Sequence, residues 1–149
     1  MALLKTLIFT ILVPGTVTIL VPRWLLSAEA VPPTIALRFI GLIPIAIGAA
    51  IYFWCAWDFA IKGRGTPAPI DPPKELVARG LYRFVRNPMY VGVLSILIGE
   101  AALFASVRLL RYAAVVFLLF YLFVVSYEEP TLRKQFGDAY RNYCAAVPR

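Results

Sequence analysis

Apolar residues gather in four blocks along the chain, residues 6–21, 39–57, 88–106 and 112–127, with polar connectors between them. Each block is roughly 16–19 residues long, close to the ~20 that cross a ~30 Å hydrocarbon core as a helix. In lipid the backbone must satisfy its own polar groups, so all four are predicted to be helices. The first follows Lys5 as a secretion signal would, but it lacks a convincing small-x-small cleavage site before Pro22-Arg23-Trp24. With three more blocks behind it, it reads as a retained helix. Pro14-Gly15 and Pro44 are expected to kink the first two helices. The pattern shows no internal repeat.

Basic residues set the orientation. Lys5, Lys62, Arg64, Lys74, Arg79, Arg83, Arg86, Arg133, Lys134, Arg141 and Arg149 fall on one side, eleven against the four of Arg23, Arg38, Arg108 and Arg111. The positive-inside rule therefore places both termini and the 58–87 connector in the cytoplasm. Trp54 and Trp57 at the inner end of the second block, and Trp24 beyond the first, read as interfacial anchors. Residues 62–73, KGRGTPAPIDPP, form a Gly/Pro-rich loop, followed by KELVARGLYRFVR, a short interfacial helix broken near Gly80. Gly63-Arg64-Gly65 lacks the strand–turn–helix setting of a phosphate loop and reads as a lid or headgroup contact. Pro130 suits the first turn of a new helix. Beyond it Leu132, Phe136, Ala139, Tyr140 and Tyr143 recur at three- to four-residue spacing, so this tail is expected to lie along the headgroups. The fold class is thus all-α integral membrane, a single domain over 1–149 with four transmembrane helices, both termini cytoplasmic and a C-terminal interfacial helix.

Composition agrees with the pattern and narrows the chemistry. Of 149 residues 61% are hydrophobic and 15% charged, and mean hydropathy is +0.78. A soluble domain is nearer 45–50% apolar and about 25% charged. The chain has no histidine, which removes Ser-His and Cys-His nucleophile systems, His-held haem and the commoner zinc sites. Cys55 and Cys144 are far apart, so neither a disulfide framework nor a metal site is expected. The net charge of +7 belongs to the cytoplasmic loops; no basic run interleaved with aromatics points to nucleic acid.

Two clusters lie at the inner boundary. One is Tyr82-Arg83-Phe84-Val85-Arg86-Asn87-Pro88-Met89-Tyr90-Val91-Gly92, the other Tyr127-Glu128-Glu129-Pro130. A short outer turn makes the last two blocks an antiparallel hairpin, which returns the acidic pair to the level of Arg86-Asn87-Pro88. Read blandly, the arginines are a topology signal and the glutamates a solvated helix end, or the two clusters form a salt-bridge network. Glu100 lies about 12 residues, ~18 Å, into the third block. It is too far from the inner boundary to join them, and is expected to pair with Arg38, or with Arg108 or Arg111. Asp58 and Cys55 are assigned helix-end and core roles.

RNPMYVG, then YEEP some thirty residues later, then LRKQFGDAYRNY together resemble the integral-membrane methyltransferase superfamily. That group includes isoprenylcysteine carboxyl methyltransferases and phosphatidylethanolamine N-methyltransferases. The resemblance covers roughly residues 63–149; its three motifs in combination are specific, each alone is weak. It implies a cytoplasmic S-adenosylmethionine pocket without a Rossmann fold, lined by Leu76, Val77, Tyr82, Asn87, Pro88, Met89, Tyr90 and one of Glu128 or Glu129. Methyl transfer from a sulfonium is an in-line displacement that orientation and water exclusion can accelerate by on the order of 7–11 kcal/mol. On this expectation Arg86 and the Asn87 amide hold the cofactor's carboxylate, and Glu128 or Glu129 holds its amino group or ribose. Tyr82 and Tyr90 flank adenine or shape the methyl tunnel.

The resemblance leaves the acceptor open. Isoprenylcysteine enzymes carry a histidine where this chain has Asn87, and an arginine one turn before the acidic pair, where Val124 and Val125 stand. Asn-Pro-Met-Tyr and Tyr-Glu-Glu-Pro look more like the phospholipid N-methyltransferases. An amine acceptor must lose a proton, and Glu128 or Glu129 is the acid pair placed to take it. A lipophilic acceptor at the cytoplasmic membrane boundary is therefore expected, with a phospholipid amine ahead of prenylcysteine or a small thiol. A four-helix transporter or assembly protein, with Glu100 in its path, is the non-enzymatic alternative.

Overall fold

The computed structural model describes Ile8 and residues 11–27, 35–61, 76 and 78–149, with side chains excepted at 35–38 and 59–61. Every regular element among them is helical: α1 (Ile11–Leu26), α2 (Ile35–Ile61), a 3₁₀ turn (Gly80–Arg83), α3 (Pro88–Leu103), α4 (Val107–Phe136) and α5 (Asp138–Ala146). Two helices, α4 and the stretch Phe39–Asp58 of α2, are long and apolar enough to cross a membrane. The apolar α1 and α3 are shorter; the 16 residues of α3 rise about 24 Å. Large apolar side chains are exposed on the outward faces of α1, α2 and α4, among them Ile11, Leu12, Phe39, Ile43, Phe117 and Leu118.

Glycine decides how α2 meets α3. A Cβ on Gly41 would stand 2.6 Å from the Gly99 carbonyl oxygen, and one on Gly48 would stand 2.5 Å from that of Gly92. The reverse substitutions meet the same backbones, Gly99 at 2.7 Å from Gly41 and Gly92 at 2.8 Å from Gly48. The pairing 41 with 99 and 48 with 92 makes the helices antiparallel, and seven-residue spacing keeps both glycine pairs on one seam. Without side chains between them the main chains touch, which suits helices that gain little hydrophobic energy from leaving lipid. Further along the same seam the core closes around Tyr52, Cys55, Ala56, Tyr82, Met89, Val93 and Leu97, with Ala113 and Val116 added from α4.

Three residues, Phe104, Ala105 and Ser106, turn α3 into α4; Ala105 takes a positive φ of 47°, and the Ser106 hydroxyl accepts from the Leu109 N–H at 3.2 Å as the helix cap. The hairpin expected from the short outer connector is present, although α4 begins at Val107, five residues before the apolar block at 112–127.

Prolines are accommodated inside continuous helices, Pro44 within α2 among them. Pro14-Gly15 does not end α1; a π-helical turn occupies Thr16–Leu20, and the helix continues through Pro22 to Leu26. Pro130 likewise starts no new helix: a π-helical turn at Val124–Glu128 precedes it, and α4 runs on to Phe136. In both places the wide turn ends two residues before the proline. Proline has no N–H for the carbonyl four residues back and its ring crowds that oxygen, so widening the turn relieves the clash without breaking the rod. α4 is therefore 30 residues long, about 45 Å, well beyond a ~30 Å core. Its Glu128, Glu129, Arg133 and Lys134 stand past the 112–127 apolar block.

The expected tail helix is likewise divided. Gly137, at φ 54° and ψ −124°, reverses the chain between α4 and α5, a conformation that favours glycine. Tyr140, expected to face headgroups, is instead buried against the protein at 3% exposure. The apolar face of α5 covers the end of the α3–α4 hairpin because the reversal at Gly137 points it there.

Candidate functional site

The hairpin brings the two polar clusters together. Tyr90, in the first turn of α3, donates its hydroxyl to Glu128 Oε2 at 2.9 Å. Arg86, just before α3, places Nη1 3.0 Å from Glu129 Oε1. Residues about forty apart in sequence are thus joined by two side-chain contacts at one level.

Adjacent on one helix, the two glutamates have different surroundings. Glu129 is 4% exposed and receives a fork from Arg149, Nε to Oε1 at 2.7 Å and Nη2 to Oε2 at 2.9 Å. Arg133, one turn on, stands 3.9 Å away. The hydrogen bond from Arg149 holds the Glu129 carboxyl below the usual range against the opposing effect of burial, with the charges of Arg149, Arg86 and Arg133 adding to it. Burial instead raises Glu128, reinforced by the negative charge of Glu129 and partly offset by the Tyr90 hydrogen bond. Beside Glu128 the Tyr90 ring lies against Phe120, centroids 4.5 Å apart and planes 31° apart. An aromatic pair beside a carboxylate is an environment suited to an organic cation.

The other expected residues take mixed positions. Asn87 is the N-terminal cap residue of α3, but its side chain makes no capping hydrogen bond. Pro88 fills the first helical position and is fully buried, with Met89 in the core beside it. Tyr82 is buried beneath the site, bonded to Cys55 through its side chain and accepting the Tyr143 hydroxyl on its carbonyl at 2.6 Å. Burial pushes the Tyr82 hydroxyl well up, and that of Tyr143 to about 12, so both stay neutral donors. Leu76 is half-buried. Val77 and the Gly63-Arg64-Gly65 loop lie outside the described residues.

Arg86 is held by several of the protein's own groups. Its guanidinium already engages Glu129, the Val147 carbonyl through Nε at 2.9 Å and the Cys144 sulfur at 3.5 Å. It and Glu129 satisfy each other, as the salt-bridge reading of the clusters had it. Nothing in the spacing of Arg149, Val147 and Cys144 marks them as site residues in the sequence, whereas Arg133 is detectable there as the i,i+4 partner of Glu129. Cys55 is fully buried and Asp58 is 3% exposed, consistent with core and helix-end roles.

Glu100 stands apart in the last turn of α3. Its Oε2 is buried with no hydrogen-bond partner among the described residues. Arg108 and Arg111, two of its expected partners, stand at exposed positions on α4; the Arg38 side chain lies outside the described residues. No group of three or more His, Cys, Asp or Glu that would hold a metal comes together among the described residues.

Comparison with known proteins places this geometry. A family model described as phospholipid methyltransferase matches residues 37–139, which include Arg86, Tyr90, Glu128 and Glu129. The nickel-cobalt-cadmium resistance protein NccN of Alcaligenes xylosoxydans xylosoxydans is 28% identical over 113 residues, 76% of this chain and 48% of that protein. The chain therefore spans about half the length of the curated relative it matches. No solved structure matches it.

Proposed function

The chain belongs to the phospholipid methyltransferase family, and from that premise we propose that it transfers a methyl group from S-adenosylmethionine to a membrane lipid amine at the cytoplasmic boundary. The observation that carries the reading is the Tyr90–Glu128 contact beside Phe120, formed where α3 enters and α4 leaves the apolar region. When bound, S-adenosylmethionine supplies a methyl group made electrophilic by a sulfonium centre. The residues present fit it: the aromatic pair and Glu128 favour a cation, and Arg86 with Glu129 offers one charge of each sign for a zwitterionic aminoacyl group.

Of the two glutamates, Glu128 is the better base. Glu129 is neutralised by arginines, whereas burial makes Glu128 readier to take up a proton than an ordinary carboxylate. The Tyr90 hydroxyl fixes one of its oxygens and leaves the other to accept the proton an ammonium must lose. Four membrane passes with both termini cytoplasmic complete the proposal, placing this site within reach of a soluble cofactor and a lipid headgroup.

Detergent-solubilised protein given radiolabelled S-adenosylmethionine with total lipid, a prenylcysteine analogue or a small thiol tests the reading. Label in an amine phospholipid is the expected result. Label only in prenylcysteine or thiol would move the acceptor to the competing class. Absence of both transfer and thermal stabilisation by S-adenosylhomocysteine would favour the transporter or assembly reading.

A further inference from the structure

The residues that follow α5 lie across the arginine–glutamate cluster. The Arg86 N–H donates to the Pro148 carbonyl at 2.9 Å, and Arg86 Nε donates to that of Val147 at 2.9 Å. The Val147 side chain is buried beneath them. Arg149 then reaches both oxygens of Glu129. Residues 147–149 thus form a strap, sewn down by backbone at one end and by a charged fork at the other.

This arrangement conflicts with an open binding site. Both Glu129 oxygens and the inner edge of the Arg86 guanidinium are occupied by the protein's own groups. A zwitterionic ligand can use those charges only by replacing a contact already made. Arg149 is the partner able to leave, since its side chain is 46% exposed against 15% for Arg86 and water can take over its hydrogen bonds.

We propose that residues 147–149 are a latch on the cofactor site, and that the α-ammonium of S-adenosylmethionine takes the place of Arg149 on Glu129 as the strap lifts. The inference rests on the methyltransferase reading above. A latch closed most of the time lowers apparent affinity in proportion to the open fraction, so weakening it tightens binding without adding a contact. It also keeps Glu129 compensated while the site is empty, which a buried carboxylate requires.

Titration of the solubilised full chain with S-adenosylhomocysteine tests this, together with amide exchange at Arg86, whose N–H the strap covers. Arg149→Gln is expected to bind about tenfold more tightly than the wild type, with Arg149→Lys between the two. In the wild type, exchange at the Arg86 amide is expected to rise on saturation. Equal or weaker binding by Arg149→Gln, or an Arg86 amide that becomes more protected, would overturn the latch alone. A wild-type protein that does not bind S-adenosylhomocysteine would overturn the latch and the methyltransferase reading together. If Arg149→Gln does not fold, the exchange experiment on the wild type decides.

Discussion

Hydrogen bonding from Arg149 keeps the Glu129 carboxyl low while burial lifts that of Glu128, so acid acts on them in opposite order. Glu129 is ionised at a lower pH in the folded than in the unfolded chain. Its clamp therefore contributes fully above the ordinary carboxylate value of 4.5, and the contribution is lost as pH falls below it through the folded value. Glu129→Gln should lower unfolding free energy by about 3 kcal/mol at neutral pH, because Arg86 loses a buried partner. Chemical denaturation in detergent at pH 7 and pH 4 checks this; the difference between variant and wild type should shrink at the lower pH. Glu128 protonates first, above 4.5, which should appear as the acid limb of the methyl-transfer profile. Glu128→Gln should reduce transfer by about 10²–10⁴-fold and remove that limb, while binding of S-adenosylhomocysteine persists. The convergence of the two clusters was legible in the sequence, since a hairpin returns Glu128 and Glu129 to the level of Arg86 and Tyr90. Which glutamate faces which partner was not, because that depends on Arg149, a residue beyond two chain reversals.

Helix α4 shows where reading by element succeeds and where it fails. Its apolar stretch and the existence of a short turn before it follow from hydropathy, although the break between the apolar blocks falls at 107–111 and the turn itself at 104–106. The continuity through Pro130 does not, because whether proline breaks a helix or widens a turn depends on what the flanking turns pack against, here Glu129 on its arginines. The match of Gly92 with Gly48 was not legible either, because it depends on the register of α2 against α3. Gly92→Ala and Gly137→Ala should both destabilise, for different reasons. At Gly92 a methyl meets the Gly48 carbonyl oxygen 2.8 Å away and must push α2 off, costing about 1–3 kcal/mol. At Gly137 nothing lies within 4 Å and the cost, about 1 kcal/mol or more, comes from the backbone conformation. Thermal unfolding of alanine and leucine variants at each position separates them: the longer side chain should deepen the loss at Gly92, where it meets α2, and change it little at Gly137, where the added atoms meet open space.

Eleven of the fifteen basic residues fall on one side of the expected spans, and reporter fusions test the orientation that this implies. A reporter active only in the cytoplasm should be active after Arg149, and one inserted at Ala105, in the turn between α3 and α4, should be silent. The length of α4 has a further consequence. One rod carries Arg108 and Arg111 near its start and Glu128 and Glu129 toward its other end, with the widened turn at Val124–Glu128 leaving it unbroken. At about 45 Å it overhangs a ~30 Å bilayer core, so its tilt follows bilayer thickness. The height of the carboxylates above the headgroup plane is then a property shared between protein and lipid. Reconstitution in phosphatidylcholines of increasing acyl length should show methyl transfer passing through an optimum, which makes the thickness of the membrane a control on a reaction performed at its surface.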